Sequence, residues 1–335
     1  MILRSDINPN SNVPLYLQIV NKVIGLIEEG KLKKNDKLIS VNNLYKAIGI
    51  SRVTVVNAYD ELRRKGIIEA MQGKGYFVSR ENDLNTKKVF VLFDAMNSYK
   101  EVLYRSFIEE LGNGYSTDIF FHYYSTNLFK QFILNNNGDY HCYVVLAHLH
   151  EDVSEILTLL PQNKLWLVDA DVPNLTSCGG IFQNFSKDVY QALTDAKNLL
   201  IKYNRLIMVK GSLFQFIPDG IANGLKQFCT DNQIDYQIVE TLNNNNLSKK
   251  NAYLVFTDND LITLIQYSRQ HGLKPGSDIG LVSYDETPLK SLLEEGITVI
   301  STDFKYMGQM AAKMIKENIH SKIENPCRLI IRKSL

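Results

Sequence analysis

The sequence predicts an α/β chain in two parts, an N-terminal winged helix-turn-helix followed by a larger α/β body. Three observations carry this. Helix signals give way to a short hairpin within the first 80 residues. From residue 89 onward, short apolar runs alternate with helical stretches, the pattern of parallel sheets covered on both faces. Charge divides the same way: residues 31–80 hold 11 Lys and Arg against 4 Asp and Glu, whereas residues 87–335 hold 24 against 27. A basic block on a weakly acidic body points to a nucleic-acid partner for the first part.

Composition narrows the class further. At 335 residues the chain exceeds what one core organises, and 45% apolar with 22% charged residues is globular, neither disordered nor collagen-like. No apolar run approaches the roughly 20 residues of a membrane helix. The polar start from Met1 to Asn12 does not read as a signal peptide. Cys142, Cys178, Cys229 and Cys327 lie far apart without a CxxC pair, which argues against a zinc site or a disulfide framework. The expectation is a cytoplasmic chain with no metal, no cofactor and no membrane partner.

Element by element, Pro14 in a first turn after Asn12 as cap, then Leu15, Ile19, Val23 and Leu26/Ile27, predict a helix closed by Gly30. Ser40 caps a short helix over 41–47, and Ser51 caps a third running to Lys65, with Gly66 beyond its end. Two short helices joined through Gly49 make a helix-turn-helix. Val55, Tyr59 and Leu62 turn to the core, leaving Arg52, Val53, Val56 and Asn57 on other sides, as in a helix that enters a major groove. Residues 67–71 and 76–78 flank a Gly-rich loop and form a wing with Lys74 at its tip. Residues 81–88 read as a polar linker, giving a head of 1–80 and a body of 89–335. In the body, strands are expected at 89–93, 143–146, 165–168, 206–209, 252–256 and 279–282. Helices are expected at 189–203 and 261–271, and loops at 135–137 and 243–246.

Pro14-Leu15-Tyr16-x-Gln18-Ile19, Gly30-Lys31-Leu32, Ser51-Arg52-x-Thr54-Val55, Leu62-x-x-x-Gly66-Ile67-Ile68 and Gln72-Gly73-Lys74-Gly75-Tyr76-Phe77-Val78 follow one another over residues 12–79. In order and spacing they resemble the DNA-binding domain of the GntR family. The resemblance implies a symmetric dimer on double-stranded operator DNA, with contacts from Ser40, Asn42, Ser51, Arg52, Thr54, Asn57, Gly73, Lys74 and Gly75. Asn42 and Val56 stand where members often carry arginine, so an uncommon operator sequence is expected.

Asn259-Asp260, then Gly272-Leu273-Lys274-Pro275 through Ile279-Gly280-Leu281-Val282-Ser283-Tyr284-Asp285, and Thr298-Val299-Ile300 with Met307-Gly308-x-x-Ala311-Ala312, resemble the effector domain of the LacI family. This implies a type I periplasmic-binding-protein-like fold, two α/β lobes around a sugar-sized cleft. A GntR head on such a body is similar to arabinose-operon repressors and fucose-responsive regulators. It implies a homodimeric repressor with a monosaccharide effector. Asp285 and the Asp258-Asn259 pair follow strands at the end where open α/β sheets bind ligands, and their groups suit sugar hydroxyls. Tyr99, Phe185 and Tyr284 offer apolar faces to a sugar ring, and Thr302 completes the candidates. The family's cleft arginine, three residues before Gly224, is Ile221 here, and Asp219 is the expected substitute.

Other features read as structural. Trp166 sits in an apolar run and is expected in the core. Alternation puts His148 and His150 on one strand face, without a third metal ligand in view. Gly73-Lys74-Gly75 is too short for a phosphate loop, and no nucleophile elbow, GxGxxG or HExxH is present. The alternative to a regulator is a sugar sensor or sugar-active enzyme with a vestigial head.

Overall fold

The computed structural model describes residues 2–11, 13–79, 86–211, 216–243 and 246–335. The expected cap Asn12, positions 81–85 of the linker and positions 244–245 of the asparagine loop lie outside the described residues.

The head consists of α1 (Leu15–Glu28), α2 (Val41–Ile48), α3 (Arg52–Arg64) and the hairpin β1 (Ile68–Met71) with β2 (Gly75–Val78). Ser40 and Ser51 cap their helices by accepting from the amides of Asn43 and Thr54. Gly49, at φ 73°, makes the left-handed turn between α2 and α3 that a side chain would disfavour. Pro14 stands one residue before α1 with an extended ψ of 138°, not inside its first turn; the Gln18 amide reaches back to the Val13 carbonyl at 2.7 Å and closes that end. Val55, Tyr59 and Leu62 are fully buried. The Tyr59 hydroxyl donates to the Ile39 carbonyl at 2.7 Å and its ring meets Tyr76 edge-on, so α3, the preceding loop and the wing share one core.

The body holds two six-stranded sheets. The first lobe runs through β3 (Lys87–Phe93), α4 (Ser98–Leu111), β4 (Tyr115–Phe121), α5 (Thr126–Asn136), β5 (Cys142–Val145), α6 (Ser154–Leu157), β6 (Leu165–Asp169) and β7 (Gly179–Phe182). The chain then crosses to a second lobe: α7 (Phe185–Asp195), α8 (Lys197–Leu200), β8 (Arg205–Val209), α9 (Asp219–Asn232), β9 (Tyr236–Val239), β10 (Asn251–Val255), α10 (Asp258–Gln270), β11 (Gly280–Tyr284) and β12 (Thr298–Thr302). It returns for α11 (Phe304–Lys316) and β13 (Lys322–Glu324), and crosses a third time to β14 (Cys327–Ile330). The sheet orders are β13-β7-β6-β5-β3-β4 and β14-β12-β11-β10-β8-β9, parallel throughout except for β14.

Several elements depart from expectation. Lys87 and Lys88, read as linker, open β3. The helix expected at 189–203 begins at Phe185 and is interrupted at Ala196. The strand β7 was hidden by its Gly179-Gly180 pair, which looks like a turn. A Cβ at Gly180 would stand 2.7 Å from the Leu167 carbonyl, and one at Gly179 2.7 Å from the Trp166 ring, so glycine here serves close packing. Trp166 is core as expected, its indole N–H on the Ile319 carbonyl at 2.9 Å.

The three interlobe crossings meet at buried Asn325. Its amide N–H donates to the Phe182 carbonyl at 2.7 Å, and its side chain donates to the Thr302 hydroxyl at 2.6 Å and the Asp303 carbonyl at 3.1 Å. The head rests on the first lobe, where Lys65 meets Asp139 at 2.9 Å, Lys164 pairs with Glu28, and Ile24 covers Gly138.

Helices α4 and α11 cross closely because Gly308, Ala311 and Ala312 present a face of small residues. A Cβ at Gly308 would collide with the Leu103 carbonyl and the Ser106 hydroxyl. Gly308→Ala is therefore expected to destabilise the body by about 1–3 kcal/mol despite alanine's better helix propensity. Gly25→Ala in α1, with nothing within 4 Å, should stabilise by roughly 0.5–1 kcal/mol. Denaturant melts of the two variants with opposite signs would bear this out; destabilisation by both would refute it.

Candidate nucleic-acid interface and interlobe cleft

On the head, Asn42, Arg52 and Asn57 are exposed, and the Arg52 Nε donates to the Asn42 side chain at 3.3 Å. The position that lacks an arginine thus orients the arginine that is present. Ser51 and Thr54 share a hydroxyl hydrogen bond of 2.8 Å beside the cap, and Ser40 caps α2, so these side chains set helix ends as well as facing outward. Val53 is 66% exposed in the first turn of α3, an apolar side chain of the kind that meets a thymine methyl. Gly73 and Gly75 take positive φ of 72° and 112° and hold Lys74 exposed at the wing tip. Lys37, which sequence reasoning passed over, bridges to Phe77 and lies against Gly75, adding a second cation to the wing.

In the body, three apolar strands each lead to an aspartate: Phe93-Asp94 at the end of β3, Val168-Asp169 in β6, and Tyr284-Asp285 at the end of β11. Because both sheets point these ends at each other, the three carboxylates converge around a cavity of about 30 Å³. That is far below the roughly 300 Å³ of a ligand pocket, so the lobes stand closed. Buried Lys100, from the first turn of α4, pairs with Asp94, and the other Asp94 oxygen lies 3.4 Å from His148 Nδ1. Burial alone would raise Asp94, yet the His148 hydrogen bond and the Lys100 charge together hold it well below the usual carboxylate range.

Across the cavity the balance reverses. Asp285 Oδ1 is sealed from solvent without a hydrogen-bond partner. Burial, then repulsion from Asp169, push its carboxyl up to about 7. Asp169 and Asp285 both take left-handed backbone (φ 70° and 60°), a strain that clusters at ligand sites. The Gln183 amide donates to Asp169, and the Tyr284 hydroxyl reaches Gln183 from the other lobe at 3.4 Å. Phe216 stacks on His148 with 5.3 Å between centroids.

Of the expected cleft residues, the structure brings Tyr99, Phe185, Tyr284 and Asp285 to the cavity. Asp219 is exposed at the first turn of α9 and lines an outer groove of about 510 Å³ with Phe216 and Asp171. Asp258 and Asn259 are exposed in the first turn of α10, outside the cavity, and Thr302 bonds to Asn325 at the crossings. The strand carrying His148 and His150 ends at Val145, so the two do not share a strand face: His148 is buried and His150 exposed, both against Phe216. Among the described residues no group of three His, Cys, Asp or Glu side chains could hold a metal, and no helix is long and apolar enough to cross a membrane. Asp94, Lys100, Tyr124, Asp169 and Gln183 are absent from the expected cleft residues, and His148 is expected only on a strand face with His150. An aspartate closing an apolar strand, repeated three times, was the available signal. A further cavity of about 390 Å³ lies between the head and the first lobe, away from the strand ends.

The fold and site define an architecture, a winged helix carried on a two-lobed body whose cleft lies at the strand ends. More particularly, residues 15–78 match the gntR family of bacterial regulatory proteins, and residues 206–335 match the periplasmic binding protein-like domain. The chain therefore joins a GntR-type helix-turn-helix domain to a periplasmic-binding-protein-like domain. The HTH-type transcriptional repressor YtrA of Bacillus subtilis is 42% identical over 74 residues, 22% of this chain and 57% of that protein. The arabinose metabolism transcriptional repressor of Geobacillus stearothermophilus is 29% identical over 90 residues, 26% of this chain and 25% of that protein. The chain thus spans less than two thirds of the length of curated relatives such as these, from 14% to 61%. Among solved structures, the trehalose repressor of Escherichia coli aligns with a TM-score of 0.61 at 13% identity, over 73% of this chain and all of that one. A LacI-type regulator of Alkaliphilus metalliredigens complexed with D-xylulofuranose aligns with 0.60 at 11%, over 74% and 98%. At such identities these structures speak for the fold.

The Asp285 shift has a definite sign. A carboxyl raised in the folded state binds more protons there than when unfolded, so stability falls as pH rises from about 4 to about 7. Asp285→Asn removes that term. It should melt higher than the wild type at pH 8 and lose this advantage at pH 5; an equal difference at both pH values would refute the assignment.

Proposed function

We propose that the chain is a transcription regulator, a repressor of a carbohydrate-use operon. In this reading it binds operator DNA as a homodimer through its winged helices and takes a monosaccharide of the arabinose or fucose type between its lobes. Its parts are a head of residues 1–80, a linker that gives way to β3 at Lys87, and an effector body from there to residue 335. The observation that carries the reading is the sealed, unpartnered Oδ1 of Asp285 in a closed interlobe cavity, on a chain whose head presents Arg52 and Lys74 outward. The GntR and periplasmic-binding-protein-like matches support it.

Mechanistically, a sugar biases the equilibrium between open and closed lobes by its differential affinity for the two. The head rests on the first lobe, so rotation about the Asn325 crossings changes how two heads are spaced once the bodies pair. Half-sites about 34–36 Å apart tolerate little change in that spacing.

Gel shifts with genomic fragments, with and without sugar, test the reading; a chain that retains no fragment would refute it. Arg52→Ala should weaken operator binding by about 1–3 kcal/mol and relax preference at one base pair, and Lys74→Ala should lower the salt slope by about one. Both should leave sugar affinity unchanged. Asp285→Ala should leave operator affinity without sugar intact while moving the sugar dose-response upward, by about 1.5–3 kcal/mol of lost hydrogen bonding. Calorimetry alongside the gel shift separates these outcomes.

A further inference from the structure

The charges around the cavity restrict what can occupy it. Three carboxylates face the space, Asp94 and Asp169 from the first lobe and Asp285 from the second. The neighbouring cations are already engaged. Lys100 is buried on Asp94. Lys290 donates to the backbone carbonyls of Tyr284 and Asp285 at 2.9 and 2.7 Å. From the second lobe, the side chain that α9 contributes to the lining is a buried isoleucine, Ile221.

His148 lies between two carboxylates, with Nδ1 3.4 Å from Asp94 and Nε2 3.8 Å from Asp169, so it too is already engaged. Asp285 Oδ1 is sealed without a hydrogen-bond partner and calls for a donor. A negatively charged ligand would meet three carboxylates in a low-dielectric space with no free counter-cation among the described residues, the arrangement in which buried charge costs most.

Resting on the cleft reading above, the geometry points to an effector that is an uncharged or cationic polyhydroxy compound, donating hydrogen bonds to Asp285, with sugar acids and sugar phosphates shut out by Asp94, Asp169 and Asp285. The test is calorimetry on the full chain with L-arabinose, L-fucose, D-galactose, D-galactosamine, D-galacturonate and D-galactose 6-phosphate, each up to about 10 mM. The tightest probe should be neutral or cationic, the two anions should bind at least about tenfold more weakly, and Asp285→Asn should weaken the tightest probe at least about tenfold. Tightest binding by an anionic probe, or binding by none of the six, overturns the inference. Loss of an anionic probe's binding in Asp285→Asn would overturn the charge rule alone and leave the cleft standing. Neutral binding that survives both Asp285→Asn and His148→Gln, in variants that melt cooperatively, would place the ligand elsewhere and overturn both.

Discussion

The body depends on one knot, the place where Asn325 ties all three interlobe crossings together. β7 and β12 end where the chain leaves its lobe, at Phe182 and Thr302, and β13 ends there too, so these strands run toward the knot. β14 begins on its far side, so it runs away, and this accounts for its being the one antiparallel strand of its sheet. Because parallel strands end at the crossings, the carboxyl ends of both sheets confront each other across the hinge, where open α/β sheets place ligands. The cleft is a consequence of the crossing geometry.

That confrontation sets the electrostatics. Asp94 arrives with its own countercharge, since Lys100 comes from its own lobe, with His148 beside it. Among the described residues, Asp285 has no cation hydrogen-bonded to its carboxylate: Lys290 bonds to backbone carbonyls, and its charge offsets burial and Asp169 only in part. Closure brings Asp285 toward Asp169, and their repulsion opposes it until a proton or a donor group intervenes. The left-handed backbone at both aspartates adds local strain to the same place. A ligand that supplies donors to Asp285 therefore relieves this repulsion in the closed form alone. Such differential stabilisation is the only way a ligand can shift an equilibrium between conformations.

Most of the head was legible in the sequence because its signals are local. Ser40, Gly49, Ser51 and Gly66 act through their own turn of backbone, and Val55, Tyr59 and Leu62 follow one helical period. The body's central strands were legible as unbroken apolar runs. Its edges were not: β9 and β13 are half-exposed and mixed in composition, and β7 opens with two glycines whose purpose is visible only with Trp166 and Leu167 beside them. In the cleft, Asp285 was found because it closes a recognisable strand. Asp94 and Asp169 close strands equally well, but nothing local distinguishes them from helix caps. Thr302, Asp258 and Asn259 show the converse, since sequence position near a strand end does not reveal which way a side chain faces. His148 was misplaced because alternation was extended past Val145, where the strand had ended.

The two halves pose different physical problems, and their residues differ accordingly. On the head, Arg52, Lys37 and Lys74 lie at the surface, where charges attract a polyanion at range but are screened within about 8–10 Å at ordinary ionic strength. In the cleft, Asp94, Asp169 and Lys100 are almost wholly buried, so salt reaches them weakly, and the raised Asp285 carboxyl is the group that responds to pH. Ionic strength therefore acts on the head and pH on the body, leaving the hinge as the physical link between them. A chain that must hold two binding equilibria apart, yet let one influence the other, gains from that division, because neither site's electrostatics disturbs the other directly.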